Sequence, residues 1–102
     1  MDADIAQQMK GRTMILTILT PAYNRGGYSK IYDSLENQSR KDFEWLIVDD
    51  GSTDDTEQVV REMQAEATFP IHYIHKENGG KHTALNVGIS AIKSELTFIV
   101  DS

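Results

Sequence analysis

The side chains best placed for chemistry sit where apolar runs end. Trp45-Leu46-Ile47-Val48 is followed at once by Asp49-Asp50-Gly51-Ser52. If the apolar run is a strand, its period of two sends Asp49 and Asp50 to opposite sides, so the two carboxylates cannot share one role. Asp50 is expected to contact a ligand; the competing reading is that both acids only shape the turn. Asp54 and Glu57 stand at the spacing of an N-cap and its N3 partner, so a capping box is expected there, and acids near a helix start also offset its dipole. Asp54, Asp55 and Glu57 are therefore assigned to the helix entry.

A second group is Asn78-Gly79-Gly80-Lys81-His82-Thr83. Glycines ahead of a helix expose backbone N–H groups, and Lys81 adds positive charge, which suits a phosphate. It is not a Walker A loop. That motif needs a glycine five residues before Gly80 and Ser or Thr right after the lysine, where this chain has His75 and His82. A helix entry with Lys81 in solvent stays open beside the phosphate reading. His72 and His75 are three apart on an expected strand and face opposite ways, a poor metal pair, so both are assigned to structure. His82 is assigned to the surface, and no serine has a convincing base partner.

The elements that must position these groups follow from apolar periodicity. Residues 14–20 and 43–48 are continuous apolar runs of the kind found in strands buried on both faces; residues 71–75 form a weaker third strand and 96–100 a fourth. Tyr28, Ile31, Tyr32 and Leu35 have the spacing of an amphipathic helix. Val59, Val60, Met63 and Ala67 mark a second helix, and Leu85, Gly88, Ile89 and Ile92 a third. Strands alternating with helices imply βαβ units, hence an α/β fold with a mostly parallel, Rossmann-like sheet flanked by helices. The carboxyl ends of its strands would carry Pro21 to Arg25, Asp49 to Ser52, Glu77 to Lys81 and Asp101, at the edge where such sheets bind ligands.

Composition limits the partners. The 102 residues carry 16 acidic and 10 basic side chains, a net charge of −6. A nucleic-acid backbone or an anionic membrane is thus not the expected partner. The imbalance is local: Asp42, Glu44, Asp49, Asp50, Asp54, Asp55 and Glu57 occupy one stretch that holds no Lys or Arg. There is no cysteine, which excludes disulfides, zinc–thiolate sites and thiol catalysis. With no apolar stretch of membrane-spanning length and no signal pattern, a cytoplasmic protein is expected, with the inner membrane face as a peripheral location.

Four blocks resemble a known family when read in order: Ile18-Leu19-Thr20-Pro21-Ala22-Tyr23-Asn24-Arg25, Trp45 to Asp54, Asn78-Gly79-Gly80 leading to Ala84-Leu85-Asn86-Val87-Gly88-Ile89, and Phe98-Ile99-Val100-Asp101-Ser102. They are similar to successive blocks of the family 2 glycosyltransferases with the GT-A fold. The resemblance implies an inverting transferase that moves a sugar from a nucleotide-sugar donor, UDP-linked in expectation, to an acceptor hydroxyl. It implies Mg²⁺ or Mn²⁺ on the diphosphate and a glycan or lipid-linked acceptor. It maps the base-stacking aromatic onto Tyr23 and the uracil contact onto Asp50. Pro21, Ala22 and Arg25 fall in the same nucleotide loop, Lys81 borders the nucleotide, and Asp101 begins the aspartate-rich metal motif.

The motif would continue past Ser102, and the catalytic base belongs to a half that these blocks do not include. The expectation is therefore a 12-residue tail (residues 1–12) followed by a donor-binding half (13–102), a fragment without activity of its own and prone to dimerise through an exposed sheet edge. The alternative is a non-catalytic nucleotide-binding or interaction module of Rossmann-like fold. A nucleotidyltransferase would want a basic glycine-rich loop after strand one, suggested only vaguely by Arg25-Gly26-Gly27. A receiver-like domain would want acids where Thr20-Pro21 and His75 stand.

Overall fold

The computed structural model describes residues 16–24, 27–92, 94 and 96–101. The expected tail, the start of the first strand at Met14, and Arg25 lie outside the described residues. The order is β1 (Leu16–Ala22), α1 (Tyr28–Glu36), β2 (Phe43–Asp50), α2 (Thr56–Glu66), β3 (Ile71–Lys76), α3 (Lys81–Ala91) and β4 (Leu96–Ile99). The four strands form one sheet in the order β3-β2-β1-β4, and every pairing is parallel.

The chain walks outward from β1 to β2 to β3, then returns across the sheet to place β4 on the far side of β1. Right-handed crossovers in opposite directions put their helices on opposite faces. The packing follows: Ile18, Trp45, Ile47 and Ile71 meet Tyr28 of α1 and Val60 and Met63 of α2 on one face, while Leu19, Leu46 and Val48 meet Ala84 of α3 on the other. Trp45, Leu19, Ile47 and Val48 are fully buried, and each such side chain contributes roughly 1.5–3 kcal/mol on leaving water. The indole of Trp45 has a partner inside, its N–H donating to Thr20 Oγ1 at 2.9 Å.

β1 runs two residues past the expected stop and takes in Pro21, which pairs in register with Val48. Leu19 shows why the proline fits: its carbonyl accepts from Val100 N at 2.9 Å on the β4 side. Pro21, two residues on, turns its donor-less nitrogen the same way, and β4 has ended there, so no ladder bond is lost.

Two expectations about helices need correction. The spacing places Ile89 in the inner stripe of α3, yet it is 55% exposed; Ala84 and Gly88 are the buried residues. The apolar residues spread over a broad arc of the helix, with His82, Thr83, Asn86 and Ser90 on the other side, and Ile89 lies at the edge of that arc. Close approach centres the arc: a Cβ on Gly88 would stand 2.5 Å from Leu19 Cδ1 and 3.2 Å from Val48 Cγ2. The expected cap is also displaced: the N-cap of α2 is Asp55, one residue after Asp54, and it makes no side-chain cap bond. Asp54 Oδ1 accepts from Thr56 N at 3.1 Å and from its hydroxyl at 2.5 Å, two residues on, while Glu57 turns toward Arg61 at 3.6 Å.

No helix among the described residues is long and apolar enough to cross a membrane. β4 is exposed along its whole length, including Phe98 at 65%.

Candidate functional site

The carboxyl ends of β1, β2 and β3 come together at one edge, and the alternation along β2 divides its two terminal carboxylates as expected. Asp49 lies on the face of Trp45 and Ile47, Asp50 on the face of Leu46 and Val48. Asp49 is structural: it accepts from Ser52 N at 2.8 Å and from the Tyr73 hydroxyl at 2.5 Å. Burial pushes the Tyr73 hydroxyl pKa up, and its bond to Asp49 and that residue's charge push it further; Arg61, 5.2 Å over the ring, acts the other way.

Asp50 anchors the second face. One carboxylate oxygen accepts from Lys76 Nζ at 2.6 Å and Gly79 N at 3.0 Å, the other from Gly80 N at 2.9 Å. Burial alone would raise its pKa, but these donors and the Lys76 charge outweigh it and hold Asp50 below the ordinary carboxylate value. The Lys76 ammonium is shared with Glu77 O at 2.5 Å and Thr83 Oγ1 at 2.9 Å, and Thr83 in turn donates to Gly80 O at 2.6 Å. Gly51 takes φ +81°, and a Cβ there would stand 2.6 Å from Asn78 N, so the turn after β2 and the glycine loop touch backbone to backbone.

The loop after β1 is tied to the same edge. Asn24, at φ +54°, donates its N–H to Ser52 Oγ at 2.5 Å and accepts from Thr53 N at 3.0 Å. Pro21 and Ala22 are buried beneath this loop, and Tyr23 stands 54% exposed above it. A cleft of about 460 Å³, lined by residues 51–53 and 75–78, opens beside the network.

Lys81 and Asp101 meet each other instead of the Asp50 network, as an ion pair whose side chains are 60% and 53% exposed. Among the described residues no three His, Asp or Glu side chains gather to hold a metal. Asp101 supplies a single exposed carboxylate, the kind of contribution Mg²⁺ or Mn²⁺ accepts when diphosphate oxygens and water complete its shell. His72 sits 3.6 Å from Glu44, and His75 stacks on Tyr73 at the rim of the cleft.

Sequence reasoning passed over Lys76, Thr83 and the Asn24–Ser52 contact. The signal for Lys76 was available: it lies two residues beyond Ile74 on the α3 face, and in-register pairing sets it opposite Asp50.

Residues 17–102 match the family described as "Glycosyl transferase family 2". The chain is similar to glycosyltransferase GlyA of Streptococcus pneumoniae serotype 4, with 35% identity over 88 residues, covering 85% of this chain and 12% of that protein. Among solved structures it resembles TarS of S. aureus (TM-score 0.71, 28% identity, 85% of this chain and 16% of that one). It also resembles the mannosyltransferase PcManGT from Pyrobaculum calidifontis, solved in complex with GDP-Man and Mn²⁺ (TM-score 0.70, 25% identity, 84% and 26%). The chain thus spans between about an eighth and about a quarter of the length of these three proteins.

Proposed function

The chain belongs to glycosyl transferase family 2, and on that footing we propose that the protein transfers a sugar from a nucleotide-diphosphate donor, UDP-linked, to an acceptor hydroxyl with inversion at the anomeric carbon. The observation that carries the reading is the Asp50 carboxylate, held ionised at the ligand edge of the sheet, with the exposed ring of Tyr23 on the adjoining loop. A carboxylate there suits the N3–H of uracil, and a tyrosine ring suits the face of a base. The mannosyltransferase solved with GDP-Man and Mn²⁺ supports a nucleotide-diphosphate sugar and a divalent cation as the shared chemistry.

In this proposal residues 13–102 are the donor-binding half. Pro21, Ala22, Tyr23, Arg25 and Asp50 take the nucleoside end, and Lys81 and Asp101 take the diphosphate end. Mg²⁺ or Mn²⁺, held by Asp101 together with diphosphate oxygens, would neutralise charge on the leaving diphosphate. The Lys81–Asp101 pair must then part, each group turning to diphosphate or cation. The acceptor is a glycan or lipid-linked hydroxyl, and the setting is cytoplasmic at the inner membrane face.

Calorimetric titration of the full-length protein with UDP and Mn²⁺, followed by assay of UDP-sugar turnover, tests the reading. Binding and turnover are expected. Binding without turnover on any acceptor would favour a nucleotide-binding module, and no binding would remove the nucleotide site.

A further inference from the structure

Resting on the nucleotide site proposed above, we propose that Lys76 is a specificity-determining residue that restricts the site to a base offering one N–H donor, uracil rather than guanine. A carboxylate with both oxygens open meets guanine well, because N1–H and the N2 amino group lie side by side and donate to the two oxygens as a fork. Uracil flanks its N3–H with two carbonyls and donates once. The state of the carboxylate oxygens therefore decides between them.

At Asp50 that state can be counted. Each carboxylate oxygen accepts about two hydrogen bonds. Oδ1 is filled by Lys76 Nζ at 2.6 Å and Gly79 N at 3.0 Å. Oδ2 receives only Gly80 N at 2.9 Å, which leaves it one acceptor position. One position answers one donor. A guanine bound here would satisfy N1–H and leave its amino group facing an oxygen already saturated.

Lys76 is the removable member of this set, since the other two donors are backbone. It is held in place independently of any ligand, its side chain 17% exposed and its remaining N–H groups directed to Glu77 O and Thr83 Oγ1. It lies at the end of β3, in register with Asp50, so its reach is set by the sheet and not by a loop.

The test uses the full-length protein and calorimetric titration with UDP, GDP and IDP, the last carrying N1–H but no amino group. In the unmodified protein UDP is expected to bind at least tenfold tighter than GDP, and IDP at least as tightly as GDP, because the amino group gains no partner. In Lys76→Met, GDP is expected to overtake IDP and the UDP-over-GDP ratio to fall about tenfold, the worth of one bond to a charged group. Lys76→Arg, which keeps a donor on Oδ1, should retain the original order. GDP binding tenfold better than IDP in the unmodified protein would overturn the inference without any variant, and so would an unchanged ratio in a folded Lys76→Met. UDP binding with either of those results leaves the nucleotide site standing and removes only the role of Lys76; failure of all three nucleotides to bind removes both.

Discussion

Asn24 and Ser52 clasp each other across the edge of the sheet, the Asn24 N–H reaching Ser52 Oγ at 2.5 Å while the Asn24 side chain accepts from Thr53 N at 3.0 Å. The clasp holds Asn24 at φ +54°, a region that costs most L-residues about 1–2 kcal/mol and that asparagine tolerates best after glycine. The exposed Tyr23 is its neighbour, so the strained residue sets where that ring stands.

Substitution at Asn24 should therefore separate backbone strain from side-chain bonding. Asn24→Gly loses the bond to Thr53 but keeps the conformation; Asn24→Ala loses both, and is expected to be about 1 kcal/mol less stable than the glycine variant. Urea unfolding midpoints check the order Asn, Gly, Ala. Alanine above glycine would remove the strain account.

Base selection should respond to Asp50 and Tyr23 in different ways. Cytosine presents a bare acceptor at N3 where uracil presents a donor, so UDP is expected to bind the full-length protein roughly ten- to hundredfold better than CDP. Asp50→Ala should erase most of that gap, and Tyr23→Ala should weaken both ligands alike. A UDP preference that survives Asp50→Ala would leave Asp50 as the anchor of the glycine loop and nothing more.

Gly88→Ala is expected to destabilise even though alanine is the better helix former. The propensity gain is about 1 kcal/mol. Against it stands overpacking of about 1–3 kcal/mol, because the new methyl would meet buried Leu19 and Val48. Leu19→Ala in the same protein should recover part of the loss, which a double-mutant cycle reads as coupling between the two sites.

Tyr73 predicts a loss of stability in alkali. Its pKa is raised on folding, so its contribution is complete below the unfolded value near 10 and is lost as pH rises beyond it toward the folded value. Thermal melts between pH 8 and 11 should show a decline that Tyr73→Phe reduces, since phenylalanine has no proton to lose and the remainder belongs to Tyr32, whose pKa is also raised on folding. An equal decline in both proteins would place the alkaline sensitivity elsewhere.

The free side of β4 predicts self-association of the 102-residue chain. Leu96, Phe98 and Ile99 are all more than half exposed on a strand that, among the described residues, has β1 as its one neighbour, and an apolar edge of that kind pairs readily with a second copy. Light scattering should report a dimer or larger species, and Phe98→Lys should shift it toward monomer. A monomer at high concentration before substitution would refute the pairing.

The strands, the helices and the alternation that parts Asp49 from Asp50 were legible in the sequence because each rests on a local apolar period. What was not legible depended on contacts between elements. The inward residue of α3 was hidden because Ala84, Leu85, Val87, Ile89 and Ile92 share a broad apolar arc, and the close approach of Gly88 to Leu19 put the centre of that arc on the sheet and left Ile89 at its exposed edge. Lys76 was passed over in favour of Lys81, which has the more suggestive neighbours in sequence. Register then set Lys76 against Asp50 and left Lys81 at the surface with Asp101. The expected cap was out of step for a nearer reason: the helix starts one residue later, with Asp55 at the N-cap, and Asp54 accepts from the Thr56 N–H and hydroxyl instead.

The chain has one tryptophan, and the fold has put it where it reports on the rest. Trp45 is fully buried and hydrogen-bonded to Thr20, three residues before Tyr23 in the strand that leads to the loop holding Tyr23 and Asn24. An indole in such dry surroundings emits at shorter wavelength than one in water, so the native protein carries a built-in fluorophore whose colour tracks the interior and whose hydrogen-bond partner sits in the strand that ends just before Tyr23. Unfolding and ligand entry can then be followed on the same unlabelled sample, the first as a red shift of the emission and the second as a change in its brightness without one.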